Sequence, residues 1–145
     1  MTVDSILGLT GTILSVVSLT WQVRSWRASG ARLKVSCVSS FLLGDVVPEM
    51  ELLGIKIANS GRSSTIVNDV AFKLPDGKAL QILYDEIGAV TLPYEIRPGE
   101  VITVYCIPLQ LKESMQKQGY AHDTRIIPRV SSGHGDSTGK PIRLD

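Results

Sequence analysis

Between Asp4 and Arg24 the chain runs for nineteen residues without a formal charge, SILGLTGTILSVVSLTWQV. As an α-helix such a run is about 28 Å long at 1.5 Å per residue, close to the ~30 Å hydrocarbon thickness that a membrane-spanning segment must cover. The pattern predicts a single N-terminal hydrophobic α-helix within a 1–30 segment, acting as a membrane anchor followed by a short linker. Residues 31–145 read as a separate domain.

The run is not uniformly apolar. Ten of its residues are apolar, six are Ser or Thr, two are Gly and one is Gln22, which lowers its insertion tendency. Its downstream flank compensates: Trp21, Arg24, Trp26 and Arg27 are the amphipathic aromatics and snorkelling cations expected at a membrane interface. Two other readings stay open. A cleaved secretory signal needs a basic leader, whereas Asp4 is the only charged side chain before the run, and the small pair Ala28 and Gly30 lies behind two arginines. An amphipathic helix packed on protein would account for the serine and threonine content.

The small and polar residues of the run are ordered. Gly8, Gly11, Ser15, Ser18 and Gln22 follow a 3, 4, 3, 4 spacing, which keeps them on one helical face. Small side chains let two helix backbones approach, and Ser or Gln hydrogen-bonds across the contact, so this face is the expected site of helix self-association.

After the run, Arg24, Arg27, Arg32 and Lys34 are four cations with no acid among them. Basic residues flanking a span stay on the cytoplasmic side, which predicts the amino terminus outside and the following domain inside. The whole chain carries a net charge of only +1, and its basic residues are spread along it, so nucleic acid is not an expected partner. In a cytoplasmic setting Cys37 and Cys106 are expected as reduced thiols serving as small hydrophobes; in an oxidising one they would form a disulfide.

From residue 32 the apolar period changes from helical to alternating. Expected strands cover residues 32–43, 51–59, 64–74, 78–84, 91–96, 101–107, 124–130 and 141–144, with one short helix at 109–118 carrying Leu111 and Met115 and stopped by Gly119. Turns are expected at 44–49, at Asn59-Ser60-Gly61 through positive φ angles, at Pro75-Asp76-Gly77, and at 97–100. In the third strand the inward set reads Ile66, Val70, Phe72 and Leu74, with a bulge at Asn68 and Asp69. Pro93 marks an edge and Pro128 an interruption. Residues 131–139 (SSGHGDSTG) read as a mobile hairpin loop, and its Ser131, His134, Asp136 and Thr138 are the candidate binding residues.

Seven to eight short strands at intervals of roughly ten residues, without a βαβ rhythm, predict a mainly β fold, a β-sandwich. The segments IANSGRSSTIVNDVAF, LPDGK and LPYEIRPGEVITVY resemble bacterial immunoglobulin-like or fibronectin-III-like modules, in which one strand ends in Asn-x-Gly and a later Pro-Gly-Glu turn leads into the next strand. With its leading helix the chain is similar to small uncharacterised bacterial membrane proteins having one helix and one such domain. The resemblance implies an immunoglobulin-like sandwich, although the tryptophan packed on a disulfide in antibody domains has no counterpart: both tryptophans are Trp21 and Trp26.

No catalytic, cofactor or metal residue is assigned. A phosphate loop at 135–140 fails because Pro141 stands where Ser or Thr should ligate magnesium. His134 and Asp136 are two weak ligands in a turn, His122 and Asp123 point to opposite faces of a strand, and Asp85 and Glu86 read as solvated loop residues. The expectation is a non-enzymatic module that engages a protein partner, itself, or both, in contact with membrane lipid. The rival expectation is a self-assembling subunit of a fibre or pore whose helices bundle beneath the β-domains.

Overall fold

The computed structural model describes residues 2–44, 49–83 and 85–144, and the chain divides into two compact units, Met1–Gly30 and Ala31–Asp145. The expected turn at 44–49 and the last residue of the expected 78–84 strand fall largely or wholly outside the described residues.

The first unit is one helix, α1 (Val3–Ala28), long and apolar enough to cross a membrane. It begins after Thr2, carries Asp4 in its first turn and Arg27 in its last, and so places charge in the sense its dipole favours. None of its described residues is buried.

The second unit is mainly β. Its strands are β1 (Leu33–Leu42), β2 (Met50–Asn59), β3 (Thr65–Lys73), β4 (Ala79–Ile82), β5 (Tyr94–Ile96), β6 (Val101–Cys106), β7 (Arg125–Ser132), β8 (Gly135–Thr138) and β9 (Ile142–Arg143), with α2 (Pro108–Lys117) between β6 and β7. All pairings are antiparallel: β1-β2-β6 form one sheet and β4-β3-β7-β8 the other, with β5 added to β3 and β9 to β7. Alternation along each strand sends one set of side chains inward. Leu53, Ile55 and Ile57 of β2 and Ile102 and Val104 of β6 meet Val67, Val70 and Phe72 of β3 and Ile126 and Val130 of β7 in one buried cluster.

Two glycines and a proline are explained by close approach. A Cβ on Gly54, in the middle of β2, would sit 2.8 Å from Thr103 Cγ2 and 3.0 Å from Tyr105 Cε1, so the bare backbone lets β6 side chains lie across the strand. At Gly139 a Cβ would sit 2.7 Å from the Val35 carbonyl and 2.8 Å from Pro128 Cγ. Pro128 does not interrupt β7. It pairs with Phe72, and its carbonyl accepts from Gly139 N at 2.9 Å, so its missing N–H faces the joint between β8 and β9 where no ladder bond is required. α2 matches its expected helix closely: Pro108 opens it, Met115 is buried beneath it, and Gly119 at φ +86° closes it.

Three further expectations are overturned. The β3 bulge is present, between Val67 and Asp69, but it reverses the strand's parity. Before it Thr65 and Val67 point inward and Ile66 is 50% exposed; after it Val70 and Phe72 point inward. Residues 131–139 are not a loop, because Ser131 and Ser132 end β7 and β8 pairs back onto them, leaving only Gly133 and His134 as the turn. Their polarity reflects an outward-facing edge hairpin. Finally, neither Asn59 nor Gly61 has a positive φ; Asn59 is a buried structural side chain.

Candidate functional site

In α1 the structure accounts for most of the hydroxyls that lower its hydrophobicity. Thr10 Oγ1 donates to the Ile6 carbonyl (2.8 Å), Thr12 to Gly8 (2.9 Å), Ser15 to Gly11 (2.9 Å) and Thr20 to Val16 (2.8 Å). A hydroxyl bonded to its own helix four residues back exposes no unpaired donor to lipid, which reduces the cost of inserting it. Ser18 and Gln22, by contrast, make no side-chain hydrogen bond among the described residues. They share a face with Gly8 and Gly11, where an added Cβ would meet nothing within 4 Å. Trp21 and Trp26 are exposed on the same helix, which ends one residue past Arg27.

The four candidate residues of the β7–β8 hairpin are divided by the fold. Ser131 and Asp136 are register partners, and Thr138 pairs with Arg129 two residues away, so Ser131, Asp136 and Thr138 share the outward face of the sheet. Asp69 joins them from β3, opposite Ser131. On this face lie two buried side-chain atoms without a hydrogen-bond partner among the described residues, Asp69 Oδ1 and Arg129 Nε. His134 is elsewhere, its Nδ1 2.8 Å from Thr65 Oγ1 and its backbone N donating to Ser132 Oγ at 3.3 Å. It fastens the turn to β3.

The same end of the β unit, here termed its head, is built around Asn59, which is 1% exposed. Its Oδ1 accepts from Arg32 N (3.3 Å) and Gly61 N (3.0 Å), and its Nδ2 donates to the carbonyls of Ser63 (2.8 Å) and Ile96 (3.3 Å). Its backbone N donates to the Glu100 carbonyl and its own carbonyl accepts from Gly99 N. The Asn-x-Gly and Pro-Gly-Glu turns, far apart in sequence, are therefore bonded to each other. Tyr94 OH donates to Glu100 Oε1, which holds the Glu100 carboxyl below its ordinary range and pushes the Tyr94 phenol up.

At the far end, Asp85 corrects the solvated-loop expectation. It is 6% exposed; Oδ1 accepts from Tyr105 N (2.9 Å) and Ile87 N (3.5 Å), and Oδ2 from Ala89 N (2.8 Å) and Val90 N (3.1 Å). Glu86 N donates to the Tyr105 carbonyl, so this loop covers part of the open edge of β6. Nearby, Leu80, Leu83, Glu86, Cys106, Leu111 and Ser114 line an open groove of about 190 Å³ between β4 and α2, which no motif in the sequence marks.

Cys37 and Cys106 are free. Cys37 lies opposite Ile55 and Cys106 opposite Leu53, so β2 runs between them. Two strand spacings of ~4.8 Å put their Cα atoms beyond the ~7 Å limit of a disulfide. Burial pushes Cys37 up to about 11 and Cys106 to about 12, the latter raised further by Cys37 and Glu86. Among the described residues no three His, Cys, Asp or Glu side chains are grouped to hold a metal ion.

No family model matches the chain. No curated protein matches it either. Among the solved structures similar to it are two that share 14% of its sequence. One, an X-ray structure of a Northeast Structural Genomics Consortium target, is 14% identical with a TM-score of 0.38, covering 77% of this chain and 84% of that one. The other, a Bordetella pertussis protein carrying the provisional name ApaA, is 14% identical with a TM-score of 0.34, covering 79% and 91%.

Proposed function

We propose that the chain is a single-pass membrane protein whose β unit, an immunoglobulin-like sandwich, serves as a non-enzymatic binding or assembly module for a protein partner. The observation that carries this reading is α1: a 26-residue helix with no buried residue and most of its hydroxyls bonded to its own carbonyls. The three-stranded and six-stranded antiparallel sheets and the bonded Asn-x-Gly and Pro-Gly-Glu turns support the sandwich of immunoglobulin or fibronectin kind. Arg24 and Arg27 after the span favour a cytoplasmic β unit. The test compares the full chain with one lacking residues 1–30. The full chain should sediment with membranes, and the shortened one should be soluble with β-type circular dichroism; an aggregated or unfolded product contradicts the two-part design.

A second reading, a self-assembling fibre or pore subunit, draws on the open Gly8 and Gly11 face with Ser18 and Gln22 beside it. A large ordered oligomer of the full chain that stays soluble without detergent would favour it.

A further inference from the structure

Asn59 gathers more than turns. The segments it bonds carry Arg32, Arg62 and Arg97, each exposed, and Lys34 follows Arg32 on the outward face of β1. Against these four cations this end sets three carboxylates, Glu95, Glu100 and, on the neighbouring hairpin, Asp136; Glu100 stays ionised, accepting from Tyr94 OH and Arg97 N (3.3 Å) and drawn to the Arg97 charge, so a small positive excess remains. Two apolar side chains are bare near this end on opposite outer faces: Ile66 on the sheet of β3, turned outward by the bulge and paired with Glu95, and Val101 on the sheet of β6, paired with Ala58, each 50% exposed. Exposed arginines on turns bonded to one another match an anionic lipid surface, whose negative potential attracts cations within about one Debye length, roughly 10 Å. The chain enters the head at Arg32, whose backbone N donates to Asn59 Oδ1.

We infer that the head of the β unit docks on anionic lipid headgroups through Arg32, Arg62 and Arg97. The inference rests on the membrane-anchored reading and adds a lipid class to it. A docked head holds the β unit in one orientation on the membrane, and in a neutral bilayer the unit is released.

Hydrogen–deuterium exchange on the full chain in nanodiscs tests it, comparing phosphatidylcholine alone with a mixture containing phosphatidylglycerol. In anionic discs exchange at residues 60–64 and 97–100 should slow at least about threefold, because a docked turn is shielded by headgroups. Exchange at the opposite turn, 75–77, should not change. High salt, or the Arg62→Glu, Arg97→Glu double variant, should abolish the slowing while β2 and β3 exchange stays as in the wild type. Equal exchange in the two discs overturns the inference, as does slowing that survives the double variant. Retention in neutral discs reports on the anchor separately. A chain lost from neutral discs that still binds anionic ones through these arginines overturns the spanning reading and keeps this one; a chain lost from both overturns both.

Discussion

Asn59→Ala removes four side-chain hydrogen bonds from a position that is 1% exposed. The two bonds at 2.8 and 3.0 Å, to Ser63 and from Gly61, count fully, and the two at 3.3 Å about half. At a net ~1 kcal/mol per neutral bond the loss is about 3 kcal/mol, with the orphaned Ile96 carbonyl tending to raise it. For a urea m-value of about 1.5 kcal/mol/M that lowers the unfolding midpoint by about 2 M. Both tryptophans lie in α1, so fluorescence would follow the anchor; far-UV circular dichroism of the full chain in mild detergent follows the β unit. Ser60→Ala, which deletes an exposed hydroxyl 3.4 Å from the Arg32 carbonyl, is the control and should shift the midpoint little. An Asn59→Ala midpoint indistinguishable from that control would refute the idea that this side chain holds the head together.

Asp85→Ala should destabilise the β unit by about 3 kcal/mol, because a buried carboxylate satisfied by four backbone donors leaves them unpaired; the same urea titration measures it. The raised thiols of Cys37 and Cys106 stay protonated in the fold while the unfolded chain loses its protons first, so their stabilising contribution is whole below pH 9.0 and falls as pH rises toward about 11 and 12. A Cys37→Ala, Cys106→Ala variant should show a shallower alkaline decline of the urea midpoint, and an equal decline would contradict the linkage. Gly11→Leu with Ser15→Leu should weaken crosslinking of full chains in detergent while membrane retention holds, because bulk is added where helices would approach. Leu9 and Val16 replacements serve as controls, and equal crosslinking of all variants counts against the helix face.

What could be read from the sequence follows how local each cause is. The uncharged run of α1, the Pro75-Asp76-Gly77 turn and the Gly119 stop are set by neighbouring residues, and each has its counterpart in the structure. The β3 bulge was legible from Asn68 and Asp69, but one extra residue reverses which side chains face the core, and that depends on the pairing with β7. Residues 131–139 look like a loop because an edge hairpin with an outward face has no apolar alternation to display. Asn59 and Asp85 escaped for a different reason. Their partners are backbone groups, such as Ile96 O and Tyr105 N, whose positions follow from sheet register and leave no mark on residue type. The head arginines are scattered in sequence, and their segments are brought to one end by the Asn59 bonds, by Ser60 N donating to the Arg32 carbonyl and by the pairing of β3 with β5.

The most direct test of the account is extraction of the full chain from membranes. A helix held by apolar transfer should keep the protein in the pellet through high salt and alkaline carbonate, with release only by detergent. Release by salt or carbonate alone would show that α1 does not span the bilayer and would contradict the account at its centre.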